Sequence, residues 1–260
     1  MTTMHLSPHA RHWGALWGSR PAEWAATEEQ QTPVYEEALA RAPVGPGDHV
    51  LDVGCGTGVF LRMCVDRGAT ASGIDAADNL LQVARGRVPE ADVRLGDMQA
   101  LPYPDDTFDV VTGFTSFFFA EDMVAAIGEA RRVARPGAPI VMQVFGRPEL
   151  CDLETMKAAV AAYRGAAHSS YWRPGAAEEI AQRAGLTLTE SFDVAFDYRY
   201  ANETAMLDAM GAAGGAALAA GPEREHEVRA AIADALAHSR QADGSYRIAN
   251  EWHVVVARAE

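Results

Sequence analysis

Val50–Gly58 reads VLDVGCGTG. A short apolar run, Val50–Val53, enters Gly54-Cys55-Gly56-Thr57-Gly58, and a helical pattern follows over Gly58–Arg67. An apolar run of this length bounded by turn residues fits a strand buried on both faces. Three glycines at alternate positions let the backbone turn sharply and approach a ligand closely. The helix behind them offers unpaired N–H groups and a partial positive charge. A strand–turn–helix of this form, at the carboxyl end of a parallel strand, is where open α/β sheets bind ligands. The dinucleotide fingerprint would need a further glycine at position 59 or 61, and those positions hold Val59 and Leu61. The P-loop pattern is absent as well. With Asp52 just ahead of the turn, the loop suits a ligand without phosphate.

Apolar runs and helical patterns alternate outward from this loop. VGPGDH (44–49) is a turn. Ala69–Ile74, Val93–Leu95, Asp109–Phe114 and Ile140–Phe145 read as strands, and Ala77–Arg87 and Met123–Ala134 as helices. Such alternation predicts an α/β fold built on a doubly wound, mostly parallel sheet. Past Phe145 the spacing predicts a helix over Ala176–Ala184 and a strand over Thr187–Val194. Ala-rich helical sequence follows over 203–240, interrupted by Gly/Ala at 211–222, and Glu251–Arg258 reads as a last strand. The expected organisation is an N-terminal helical lid (1–45), a core (46–195), a helical cap insertion (196–248) and a final core strand (249–260).

Composition narrows the partners. The 260 residues carry 22 Lys+Arg against 36 Asp+Glu, a formal charge of −14, with Lys157 the single lysine. An acidic surface disfavours phosphate backbones and anionic membranes, so neither nucleic acid nor membrane is expected. Three cysteines (Cys55, Cys64 and Cys151) without a CxxC pair fit a reducing compartment and no zinc site. No apolar run is long enough to span a bilayer, and the first residues lack the apolar stretch of a signal peptide. A cytoplasmic protein, monomer or homodimer, is expected. His5, His9 and His12 are spaced so that two could share a helical face, but no carboxylates accompany them and no metal is expected.

Two further acids stand at strand ends. Asp75 closes Gly73-Ile74-Asp75, at about the spacing after Gly54 at which a ribose-binding acid is found. The lesser alternative is a cap on the following helix, which Asp78 or Asn79 could provide equally well. Asp97, in Leu95-Gly96-Asp97-Met98, could accept from an adenine amino group or serve as a turn residue. With these stations in order, the chain resembles the class I S-adenosylmethionine-dependent methyltransferases. It is most similar to the small-molecule branch of ubiquinone- and menaquinone-biosynthesis-like enzymes (methyltransferase type 11). The likeness covers about residues 48–146 and rests on VLDVGCGTG (50–58), GID (73–75), GDMQALPYPDDTFDVV (96–111) and EARRVARPGAPIV (129–141). It implies a Rossmann-like seven-stranded sheet, mostly parallel with an antiparallel last strand. It implies S-adenosylmethionine as cofactor, released as S-adenosylhomocysteine. By resemblance Asp52, Gly54, Cys55, Gly56 and Gly58 serve the methionine end and Asp75 the ribose. Ala76, Asp97 and Met98 border the adenine, Phe114 and Thr115 lie near the sulfonium, and Trp24, Gln30 and Tyr35 form a lid.

The chain departs from the family just after the fourth strand. Many relatives carry a His or Gln there, whereas this chain has Phe117-Phe118-Phe119. That points to an apolar or aromatic acceptor pocket, lined by Phe117, Phe118, Tyr171, Trp172 and Tyr198, with Phe196 and Tyr200 nearby. A general base is needed only where the acceptor must lose a proton. The candidates are His168, Tyr171 and Glu121, with His5 and Tyr198 behind them. The expected activity is methylation of an apolar or aromatic small molecule. The competing reading is a protein that binds S-adenosylmethionine for a non-methylating catalytic or sensing role. A nicotinamide-dependent oxidoreductase is disfavoured by Val59 and Leu61.

Overall fold

Strand β1 (His49–Val53) lies inside the sheet, flanked by a strand on each side, and is buried on both faces. Successive strand side chains point to opposite faces. Val50 therefore joins the cluster that includes Phe60 and Leu61, while Leu51 joins the one that includes Ile127 and Val133. The computed structural model describes residues 6–164, 173–213, 216 and 223–260. Three helices precede β1: α1 (Pro8–Trp17), α2 (Pro21–Glu28) and α3 (Thr32–Arg41). Each carries proline in its first turn, where the missing N–H costs nothing.

The core then alternates. In chain order it comprises α4 (Val59–Asp66), β2 (Thr70–Asp75), α5 (Asp78–Arg87), β3 (Asp92–Leu95), β4 (Val110–Phe114), α6 (Met123–Val133) and β5 (Pro139–Phe145). There follow α7 (Asp152–Ala161), α8 (Ala176–Arg183), β6 (Leu186–Tyr200), α9 (Glu203–Ala212), α10 (Glu225–Ala235) and β7 (Tyr246–Ala259). The seven strands lie in the order β3-β2-β1-β4-β5-β7-β6. Strands β1 to β5 pair in parallel, and β7 runs antiparallel to both β5 and β6. This is the seven-stranded Rossmann-like sheet with its last strand reversed. The order changes direction between β1 and β4, which opens a crevice at their carboxyl ends.

The last two strands are longer than their apolar runs. Residues 196–200 and 246–248, read from sequence with the helical insertion, are strand. Phe196 pairs with Asn250 and Tyr200 with Tyr246. The pairing of β7 with β5 stops at Trp252, so the β6–β7 ribbon runs on past the carboxyl end of β5. It tethers the N-terminal helices. Arg199 N donates to Gln30 Oε1 at 2.7 Å, Tyr200 and Thr27 hydroxyls lie 3.4 Å apart, and Arg41 stacks over Phe192. Helix α9 packs on α2, and α10 on α7 and α9. Among the described residues no helix is long and apolar enough to cross a membrane.

Candidate active site

At the switch point the strand ends and the N-terminal helices enclose a cavity of about 940 Å³, counting its open mouth. The loop after β1 forms its base. Gly54 N and Cys55 N both donate to Ile74 O, at 2.7 and 3.1 Å, which ties the loop to the end of β2. Asp75 completes the tie, with Oδ2 accepting from Gly56 N at 2.9 Å and Oδ1 from Ala77 N at 2.8 Å.

Four carboxylates face this space. Asp52 is 3% exposed and accepts from Thr112 Oγ1 at 2.7 Å. Burial pushes its carboxyl up to about 8, with Glu28 and Asp75 adding repulsion. Glu28, the last residue of α2, is pushed by burial up to about 7, although N–H and hydroxyl donors of Thr57 and the charge of Arg87 pull it down. Burial also raises Asp75, against the donors Ala77 and Gly56. Asp97 accepts from Ser7 N at 3.3 Å and from Gln99 N at 3.0 Å.

Helix α1 covers the side bordered by Ala76, Asp97 and Met98. A methyl group on Gly14 would lie 2.1 Å from Ala76 O, so only glycine lets the helix cross there. Asn79 Nδ2 donates to Gly18 O at 2.8 Å and holds the helix end. The wall is aromatic. Trp13 and Trp17 lie 4.8 and 5.3 Å from Phe119, and Trp17 lies 4.6 Å from Trp24. His9 Nε2 donates to Phe119 O at 2.8 Å. Below, Phe114 packs between Tyr35 (4.6 Å) and Phe60 (4.7 Å). Thr115 adopts a φ of 55°. Its Oγ1 accepts from Gln143 Nε2 at 2.9 Å, and the same amide donates to Gln31 Oε1 at 3.1 Å.

Of the residues singled out from the sequence, the cavity brings together Asp52, Gly54, Cys55, Gly56, Asp75, Ala76, Asp97, Met98, Phe114, Thr115 and Trp24. Several other residues lie elsewhere. Gly58 caps α4 at φ 80° against Ala84 of α5 and does not line the cavity. Gln30 turns to β6, and its neighbour Gln31 lines the cavity instead. Residues 29–31 form a 3₁₀ turn, so adjacent side chains point about 120° apart. A second 3₁₀ turn splits Phe117–Phe119. Phe117 packs under Gly113 with the core on the other face of the sheet, Phe118 packs on Phe145, and Phe119 alone of the three lines the cavity. Tyr198 is 2% exposed beside Phe196, in the core rather than at the cavity. Glu121 is exposed and outside the cavity. His5, His168, Tyr171 and Trp172 lie outside the described residues.

Glu28, Gln31, His9, Trp13, Trp17 and Phe119 also line the cavity. The first two had a readable signal. Trp24, Glu28, Gln31 and Tyr35 recur at the spacing of one helical face, and all four line the cavity. The polar run Glu28–Gln31 hid it by resembling a solvated surface.

Residues 51–142 match the family described as a methyltransferase domain. Over 123 residues the chain is 36% identical to a malonyl-[acyl-carrier protein] O-methyltransferase of Serratia marcescens, covering 47% of this chain and 48% of the relative. Over 111 residues it is 33% identical to a demethylmenaquinone methyltransferase of Renibacterium salmoninarum, covering 43% of this chain and 47% of the relative. The chain thus spans about half the length of the curated relatives it matches. One similar solved structure is a geranyl diphosphate C-methyltransferase of Streptomyces coelicolor, in complex with Mg²⁺, geranyl diphosphate and S-adenosylhomocysteine. It superposes with a TM-score of 0.54 over 88% of this chain and 79% of that one, at 15% identity, a likeness of fold. The domain match over residues 51–142, the seven-stranded order and the glycine loop at the switch point together show that the chain carries a methyltransferase domain.

Proposed function

We propose that this chain transfers the methyl group of S-adenosylmethionine to an apolar or aromatic small-molecule acceptor. The observation that carries the reading is the acid-lined, aromatic-walled cavity at the carboxyl ends of β1, β2 and β4. Its donor set fits the cofactor. S-adenosylmethionine carries an ammonium and a sulfonium, and Asp52 and Glu28 are buried acids in a cavity that no lysine or arginine lines among the described residues. Asp75 spends one lone pair of each oxygen on the backbone, and each oxygen keeps another for a ribose hydroxyl. Asp97 offers the same to an adenine amino group, and the side chain of Met98 can pack on the ring.

When bound, the cofactor supplies a methyl group already activated on sulfur. The protein's work is then alignment and exclusion of water. Helix α1 and the Trp13–Trp17–Trp24 wall close the cavity over its adenine side. Phe114, Tyr35 and Phe119 present an apolar surface, which favours acceptors with a large apolar or aromatic body. The acceptors in the two relatives' names, a carrier-bound malonyl group and demethylmenaquinone, differ widely, so the acceptor class rests on this wall.

The test is a screen of aromatic and isoprenoid-like acceptors with the purified protein, following S-adenosylhomocysteine by mass spectrometry. One equivalent of S-adenosylhomocysteine per methylated product supports the reading. Tight S-adenosylmethionine binding with no consumption across the screen favours the non-methylating alternative. Failure to bind S-adenosylmethionine at all sinks both.

A further inference from the structure

Glu28 is the one cavity-lining acid among the described residues that does not come from the sheet or its loops. It closes α2 and reaches over the loop behind β1. Its Oε2 accepts from the N–H and the hydroxyl of Thr57, at 2.9 and 3.0 Å. Its Oε1 accepts from Val59 N, the first residue of α4, at 3.4 Å. A methyl group on Gly56 would lie 2.6 Å from Oε2, so the carboxylate is pressed against the loop backbone.

These N–H groups open a helix behind a glycine-rich turn. That is the position at which related α/β folds hold the phosphates of a nucleotide. Here the chain fills it with a carboxylate of its own, 5% exposed. The nearest cation, Arg87 of α5, bonds to Thr57 O at 3.0 Å, to Thr57 Oγ1 at 2.6 Å and to Glu29 at 2.6 Å. It supports Glu28 from behind and does not line the cavity. On the cavity side Glu28 shares the space with Asp52 and Asp75, both acids, and with the Tyr35 ring. A phosphate entering this loop would displace Glu28 or meet it as a like charge. A cation would meet a carboxylate whose neighbouring arginine lies behind it, outside the cavity.

We propose that Glu28 is a specificity-determining residue of this site, filling the helix N-terminus that would take a phosphate and making the loop select a cationic amino-acid end instead. The inference rests on the S-adenosylmethionine reading above and adds to it the residue that excludes phosphate-bearing nucleotides. The ligand so selected carries two cations, ammonium and sulfonium, against one carboxylate.

Calorimetry with three probes tests it: S-adenosylmethionine, the neutral 5′-methylthioadenosine that lacks the amino-acid end, and ADP. In Glu28→Gln the amide oxygen can still accept from Thr57, so the loop keeps its cap while the charge is gone. S-adenosylmethionine is expected to bind at least tenfold more weakly and 5′-methylthioadenosine within about twofold of the wild type. The preference for S-adenosylmethionine over ADP is expected to fall by at least tenfold. Glu28→Asp, which keeps the charge, is expected to hold both preferences within about threefold. Equal losses for S-adenosylmethionine and 5′-methylthioadenosine in the Gln variant would mean that Glu28 only shapes the loop, and would overturn the inference. So would unchanged S-adenosylmethionine binding in the Gln variant, or collapse of the preferences in the Asp variant. If the wild-type protein binds no S-adenosylmethionine, the functional reading fails first.

Discussion

Asp75 and Thr115 make contrasting demands on single residues. Asp75 can serve the backbone and a ribose together, because each ionised carboxylate oxygen accepts more than one hydrogen bond. Replacing it with alanine removes at least one charged-acceptor bond to the ligand, worth about 1.5–3 kcal/mol. The dissociation constant for S-adenosylmethionine should therefore rise roughly ten- to 150-fold by calorimetry, and an unchanged constant would refute the ribose role. Thr115 carries strain. A β-branched residue at φ 55° is an outlier whose cost is of order 1–3 kcal/mol, and such strain collects at functional sites. Its hydroxyl is what Gln143 and, through it, Gln31 hold on to. Thr115→Gly relieves the backbone and removes the hydroxyl. Its melting temperature should match or exceed that of the wild type while single-turnover methyl transfer slows. A destabilised variant with full turnover would show that the φ angle is incidental.

Helix α1 gives the sharpest test at the level of elements. It meets the β2 end at Gly14, where any β-carbon collides with Ala76 O. Gly14→Val should lift the helix from the adenine side and weaken S-adenosylmethionine binding at least tenfold. The sheet core, built from β1, β4 and β5 and remote from α1, should melt within a few degrees of the wild type. Fluorescence from Trp13 and Trp17 should change with the lift, and an unaltered affinity would show that α1 is not a lid. The contrast between core and lid also explains what the sequence disclosed. The loop and the strand-end acids were legible because a glycine-coded turn and an acid after a buried strand are short-range patterns. Asp52, Asp75 and Asp97 could thus be placed without knowing the fold. The residues of the N-terminal helices depend on the phase of a helix across two short turns, so the sequence points to Gln30 where Gln31 faces inward. Phe117 and Phe118 point away from the cavity for the same reason, since three consecutive phenylalanines do not reveal which way a 3₁₀ turn points each ring. The ends of β6 and β7 were lost because Asp197–Tyr200 and Tyr246–Asn250 mix polar and aromatic residues, and only their pairing makes them strand.

At the scale of the whole molecule the buried acids couple folding, pH and ligand. The chain carries a formal charge of −14, and it holds Glu28, Asp52 and Asp75 inside one cavity. A carboxyl whose folded pKa lies above its unfolded value keeps a proton that unfolding releases. Its contribution to stability is full below the unfolded value and is lost as pH rises through the folded one. With Asp52 raised to about 8 and Glu28 to about 7, that loss falls largely between pH 4 and 8. Glu129 and Glu251 act oppositely, because hydrogen bonds from Arg132 and Arg147 depress them, and their contribution is lost as pH falls through those depressed values. Between pH 6 and 8 His49, which burial holds below its ordinary value, works against them, since its cost to folding is relieved as pH rises; the two cavity acids are shifted further, so the ligand-free protein should melt at a lower temperature at pH 8 than at pH 6. A ligand bearing cations favours the ionised acids, so binding should release protons and tighten as pH rises. S-adenosylmethionine is expected to bind about tenfold more tightly at pH 8 than at pH 6, the linkage of roughly half a proton released on average over that span. Its stabilisation of the melting temperature should grow in step. The neutral 5′-methylthioadenosine should show a much flatter dependence, and Glu28→Gln should flatten that of S-adenosylmethionine. A stabilisation by S-adenosylmethionine that stays constant from pH 6 to pH 8 would mean that the cavity acids do not meet the cationic end of the ligand.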